Sequence, residues 1–118
     1  MHVLFLDDND KRVQLAMQTF EGDDLIIARN AYDAMRFLRD CLIGWDLVML
    51  DHDLGGESNG WGAGQEPTGM DVVNYIVEHK PNIQRVVVHS WNPVATWMVD
   101  KLWRAGYKAE WKRFAIMQ

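Results

Sequence analysis

The sequence predicts an α/β fold, with one mostly parallel five-stranded sheet covered by helices on both faces as a three-layer sandwich. Three observations lead there. Short apolar runs alternate with amphipathic stretches in the order βαβαβαβαβ, which demands right-handed crossovers between parallel strands. The apolar runs, of which Leu47, Val48, Met49 and Leu50 are the clearest, lack the polar alternation of a strand with one wet face. Several of them stop abruptly at ionisable residues, and sheets of this kind bind ligands at the carboxyl ends of their strands.

In chain order, His2 to Leu6 is the first strand and ends at Asp7 and Asp8. Asn9 or Asp10 caps a helix whose apolar residues Val13, Ala16, Met17 and Phe20 keep helical spacing, and Gly22 ends it. Leu25 to Ala28 is a second strand with no acid at its tip. Asn30 and Asp33 open helix two, where Ala31, Ala34, Met35, Leu38, Cys41 and Leu42 form a stripe that Gly44 stops. The central strand leads into Asp51, His52 and Asp53, with the two acids leaning one way and the histidine the other. Gly55 to Pro67 holds five of the nine glycines and reads as a mobile lid beside those acids.

Thr68 and Asp71 form a capping-box pair for helix three, which turns Met70, Val73, Ile76 and Val77 inward and closes at Pro81. Val86 to Val88 is the fourth strand and ends in His89, Ser90 and Trp91. Asn92 and Pro93 start helix four as cap and first-turn proline; Val94, Met98, Leu102 and Ala105 share one side, and Gly106 ends it. Lys108 to Ala115 is the fifth strand, and its charges at Glu110, Lys112 and Arg113 assign it to an edge. The three residues after it cannot build the fifth helix that usually covers such a strand. With six tryptophans in the chain and Trp103 half a turn off the helix-four stripe, the uncovered surface is expected to be filled by a second copy in a homodimer.

At 118 residues the chain suits one domain, residues 1–118. The absence of a basic leader or a span-length apolar run predicts a cytoplasmic protein without membrane contact. A single cysteine, Cys41, excludes internal disulfides and reads as a packed thiol. A net charge of −5 argues against duplex DNA binding but leaves room for a small basic pocket.

If the first and central strands are neighbours, as in the flavodoxin-like order 2-1-3-4-5, then Asp7, Asp8, Asp51 and Asp53 converge. Such carboxylates protonate, spread into solvent or bind a divalent cation, and Mg²⁺ or Mn²⁺ is the preferred expectation. Direct ligation by His52 or His89 would favour Mn²⁺, Fe²⁺ or Zn²⁺. Bland explanations stand beside these. Acids after a strand also cap helices, Arg12 reaches a phosphate or merely salt-bridges the acids, and Asn92 is explained as a cap. His2 reads as a surface residue and His79 as a favourable charge at a helix end.

The set L-D-D at 6 to 8 with Arg12, L-D-H-D-L-G at 50 to 55, T-G-M-D-V-V at 68 to 73 and V-H-S-W-N-P at 88 to 93 resembles the cyclic-phosphate processing receiver domains, divergent relatives of response-regulator receivers. The paired acids, a phosphoacceptor at Asp51 and Ser90 are shared with ordinary receivers; the two histidine-bearing stretches are the specific part. The receiver's Lys-Pro after strand five is absent, which leaves Lys112 as a candidate stand-in, and Ala95 departs from an expected glycine. The resemblance implies a phosphoesterase acting on a cyclic phosphate of a nucleotide or RNA end, and leaves a phage or mobile-element origin open. It implies metal ligation by Asp7, Asp8, Asp51 and Asp53, chemistry by Asp51, His52 and His89, and substrate contacts from Arg12, Thr68, Gly69, Ser90 and Asn92. A signalling receiver phosphorylated at Asp51 and a binding protein that sequesters a cyclic nucleotide remain the alternatives.

Overall fold

The computed structural model describes residues 1–52, 67–90 and 93–112. Strands β1 (His2–Leu6), β2 (Asp24–Ala28), β3 (Leu47–Leu50), β4 (Val86–Val88) and β5 (Ala109–Trp111) alternate with helices α1 (Asp10–Thr19), α2 (Ala31–Asp40), α3 (Gly69–His79) and α4 (Ala95–Arg104). All neighbouring strands run parallel in the order β2-β1-β3-β4-β5. This is the predicted flavodoxin-like sheet, with β5 at the predicted edge.

Strand parity divides the core in two. Leu4, Leu6, Val48, Leu50, Val86 and Val88 face one way and pack with Ala34 and Leu38 of α2, Val73 and Ile76 of α3, and Met98 and Leu102 of α4. Val3, Phe5, Leu47, Met49 and Val87 face the other way, against Val13 and Ala16 of α1 and Phe20 just beyond it. The register sets Phe5 beside Met49 and Met49 beside Val87, so one apolar row crosses three strands. The next row of the same parity carries Asp7, Asp51 and His89. The ladder continues into it, because the Asp51 amide donates to the Leu6 carbonyl and the His89 amide to the Leu50 carbonyl.

Several expectations shift. Helix α2 ends at Asp40, and Cys41 is an extended cap rather than part of a longer stripe. Leu42 is therefore 96% exposed. After Gly44, held at φ +87°, Trp45 turns in and is buried in the core. Met17 is exposed, and Leu15 packs at the margin of the α1 core instead. Helix α4 starts at Ala95, with Val94 at the cap position and without a side-chain cap bond. The Pro93 carbonyl accepts from both the amide and the hydroxyl of Thr96, so Pro93 and Val94 form a turn before the helix proper. The fifth strand spans Ala109–Trp111, and residues 113–115 of the predicted stretch lie outside the described residues. Trp103 is exposed, with its indole N–H donating to the Ala109 carbonyl at 2.6 Å. No helix among the described residues is long and apolar enough to cross a membrane.

Candidate functional site

The carboxyl ends of β1, β3 and β4 meet at one rim because these three strands are consecutive in the sheet. Asp7, Asp8 and Asp51 each present a carboxylate oxygen there, and the three atoms lie within 4.8 Å of one another. Asp7 is fully buried, Asp51 and His89 nearly so, and Asp8 is partly exposed.

Both oxygens of Asp7 are engaged twice. Oδ1 accepts from the Asn9 amide at 2.9 Å and from Arg12 Nη2 at 3.0 Å. Oδ2 accepts from Arg12 Nε at 2.6 Å and lies 3.1 Å from His89 Nε2. Arg12 Nη2 also reaches Asp51 Oδ2 at 3.4 Å. The guanidinium thus lies between the two strand-tip carboxylates. Its place follows from α1, whose cap Asn9 accepts the Arg12 amide through Oδ1 at 3.0 Å and so fixes the first turn over the rim.

The electrostatics follow from these contacts. Burial by itself raises the Asp7 pKa, but the hydrogen bonds with His89 and Arg12 and from the Asn9 amide outweigh it, and the carboxyl lies below its ordinary value. Burial pushes His89 below the ordinary imidazole value, against the opposing pull of Asp7. A neutral His89 donating its Nε2–H to an ionised Asp7 accounts for both directions. The imidazole lies flat on Phe5, with centroids 4.8 Å apart and planes 3° apart, so the apolar row below supplies its floor. Arg12 is raised, chiefly by its hydrogen bonds to Asp7.

The remaining predicted residues take various positions. His52 follows Asp51 and is half-buried. Ser90 is buried, and its carbonyl accepts the Trp111 indole N–H at 2.6 Å. Thr68 completes the expected capping box: its side chain accepts the Met70 amide at 3.2 Å, and its own amide donates to Asp71 Oδ2 at 2.7 Å. Gly69 packs so closely on the end of β3 that a Cβ there would fall 2.2 Å from the Asp51 carbonyl oxygen. Its absent side chain lets α3 dock beside the acids. Asp53, Asn92, Trp91 and most of the glycine-rich loop predicted as a lid lie outside the described residues. Phe5 and the Asn9 amide were not among the predicted site residues; strand parity could have flagged Phe5, two positions before Asp7 on the same face.

Three comparisons bear on this geometry. A family model described as the cyclic-phosphate processing receiver domain matches residues 2–105. No curated protein matches. Among solved structures, the chain is similar to the signal receiver domain of a protein described as a Luxo repressor from Vibrio parahaemolyticus, with TM-score 0.67, 19% identity, and 94% of this chain and 75% of that one covered. It is similar to a CheY-like response regulator receiver domain protein from Methanospirillum hungatei JF-1, with TM-score 0.65, 16% identity and coverage of 94% and 78%. The receiver domain of Francisella response regulator 1452 gives TM-score 0.65, 17% identity and coverage of 98% and 93%. At these identities the likeness is one of fold.

Proposed function

This chain belongs to the cyclic-phosphate processing receiver domain family, and from that premise we propose that its acidic rim opens a cyclic phosphate on a nucleotide or an RNA end with the help of a divalent cation. The single observation that supports this best is the convergence of Asp7, Asp8 and Asp51 within 4.8 Å. The donor set is made of hard carboxylate oxygens, which fits Mg²⁺ or Mn²⁺ and is a poor match for softer ions. Such an ion would supply charge neutralisation for the phosphate and lower the pKa of a water.

The chain's own residues do the rest. Arg12 and Ser90 hold the non-bridging phosphate oxygens as negative charge builds on them. Water forms the new P–O bond and releases a proton to solvent, the bond to one ribose oxygen breaks, and His52 gives that oxygen its proton, leaving a linear phosphomonoester. His52 takes this role because the His89 side chain is fully buried against Asp7. His89 instead orients the Asp7 carboxylate. Asp53 and Asn92 remain proposed contacts to the cation and the substrate.

The test is incubation with cyclic dinucleotides, 2′,3′-cyclic mononucleotides and cyclic-ended RNA in Mg²⁺ or Mn²⁺, with products read by mass spectrometry. Metal-dependent release of a linear monoester is expected, and its loss in Asp51→Asn. The burial of Asp51 at the tip of β3 next to Asp7 favours a second reading, in which Asp51 itself accepts a phosphoryl group. An inert substrate panel, together with one phosphoryl gained from a small phosphodonor in wild type but not in Asp51→Ala, would replace the first reading with this one. Tight binding of a cyclic nucleotide recovered unchanged would point to sequestration.

A further inference from the structure

Arg12 already occupies two of the three carboxylates that a cation at this rim would need. It donates to both oxygens of Asp7, at 2.6 and 3.0 Å, and to Asp51 at 3.4 Å. With the Asn9 amide and His89 also on Asp7, each oxygen of that carboxylate already has two partners. A cation shared by Asp7 and Asp51 would adjoin a guanidinium that stays protonated at any working pH, so deprotonation cannot relieve the repulsion. The Asn9 amide carries no such conflict, because it bears no net charge.

We propose that Arg12 is an internal counter-ion that keeps the acidic rim closed until a divalent cation displaces it, and that the displaced guanidinium then becomes the phosphate ligand. The inference rests on the cation reading of the rim. The geometry permits the exchange. The Arg12 side chain is 29% exposed while Asp7 is fully covered, so of the two partners the arginine is the one with a route to solvent. Its backbone stays fixed, because the Arg12 amide is held by Asn9 Oδ1 at 3.0 Å. Only the side chain moves, and it remains tethered at the rim. Cation entry and phosphate capture are thereby coupled: one event neutralises the carboxylates and frees a positive fork for the next ligand.

Calorimetry of Mg²⁺ binding to the full chain, wild type against Arg12→Ala and Arg12→Gln, tests this. Removing the competing cation should tighten Mg²⁺ binding roughly tenfold, the equivalent of about one charge-assisted hydrogen bond. In the same variants, Mg²⁺ should no longer enhance the binding of inorganic phosphate. Wild type supplies a check that needs no substitution, since the Arg12 Nε–H resonance should shift or broaden when Mg²⁺ is added. Equal or weaker Mg²⁺ binding in both variants, with an unmoved Arg12 signal in wild type, overturns the exchange while leaving the cation site standing. No Mg²⁺ or Mn²⁺ binding in any form overturns the cation reading and the exchange together.

Discussion

Asp7 keeps its negative charge out of water through its contacts with Arg12, His89 and the Asn9 amide. Asp7→Asn should therefore abolish the heat of Mg²⁺ binding and the thermal upshift that Mg²⁺ gives the wild type, as differential scanning would read it. The histidine gives a pH prediction. Its folded pKa lies below the ordinary value, so as pH falls below about 6.5 the unfolded chain takes up a proton that the folded chain does not, and stability drops. Urea midpoints measured with chelator present should fall on this account from about pH 6.5 downward, and His89→Asn should flatten that limb. Asp7, with its lowered pKa, adds stability that persists above about pH 3.9 and is lost only as pH falls through its folded value. The meeting of Asp7, Asp8 and Asp51 was legible in the residues, because strand tips in adjacent parallel strands must share a rim. The burial of His89 was not, since it depends on a ring from β1 lying beneath a side chain just past the end of β4.

Among the elements, α3 ties its own stability to the rim. Thr68→Ala removes the oxygen of the capping box and should cost about 1 kcal/mol in a urea melt, with little change in Mg²⁺ affinity. Gly69→Ala acts differently. A methyl group 2.2 Å from the Asp51 carbonyl forces either α3 or the end of β3 to move, so a loss of about 1–3 kcal/mol should come with weaker Mg²⁺ binding. Comparing the two variants separates a helix that frays from a carboxylate that is displaced. The capping box was readable because its donors and acceptors lie within four residues. The close approach of Gly69 was not, because the atom it spares belongs to Asp51, just past the end of β3. The start of α4 was misplaced for a related reason: the Asn92-Pro93 pair has the composition of a helix start, whereas the Thr96 bonds to Pro93 complete a turn first. At the end of α2, Leu42 continued a helical period that the chain abandons at Cys41, and Trp45 takes the core position.

Across the whole molecule, the parallel sheet followed from alternating apolar runs and the rule that parallel crossovers keep one hand, whereas its strand order was taken from the flavodoxin-like pattern. What the pattern did not specify was how unequal the strands are. Strand β1 pairs through five residues with β2 and four with β3, while β5 contributes three residues on one side only. Amide exchange should accordingly be slowest in β1 and β3 and fastest in β5, a ranking that native-state hydrogen exchange would read directly. The stacked pair of Phe5 and His89 has its own consequence. A fluorine placed on that phenyl ring would sit in the shielding cone of the imidazole, so its nuclear resonance would report from inside the core on what happens at the rim above it. An opaque protein interior thereby acquires a window, with the lens already ground by the fold.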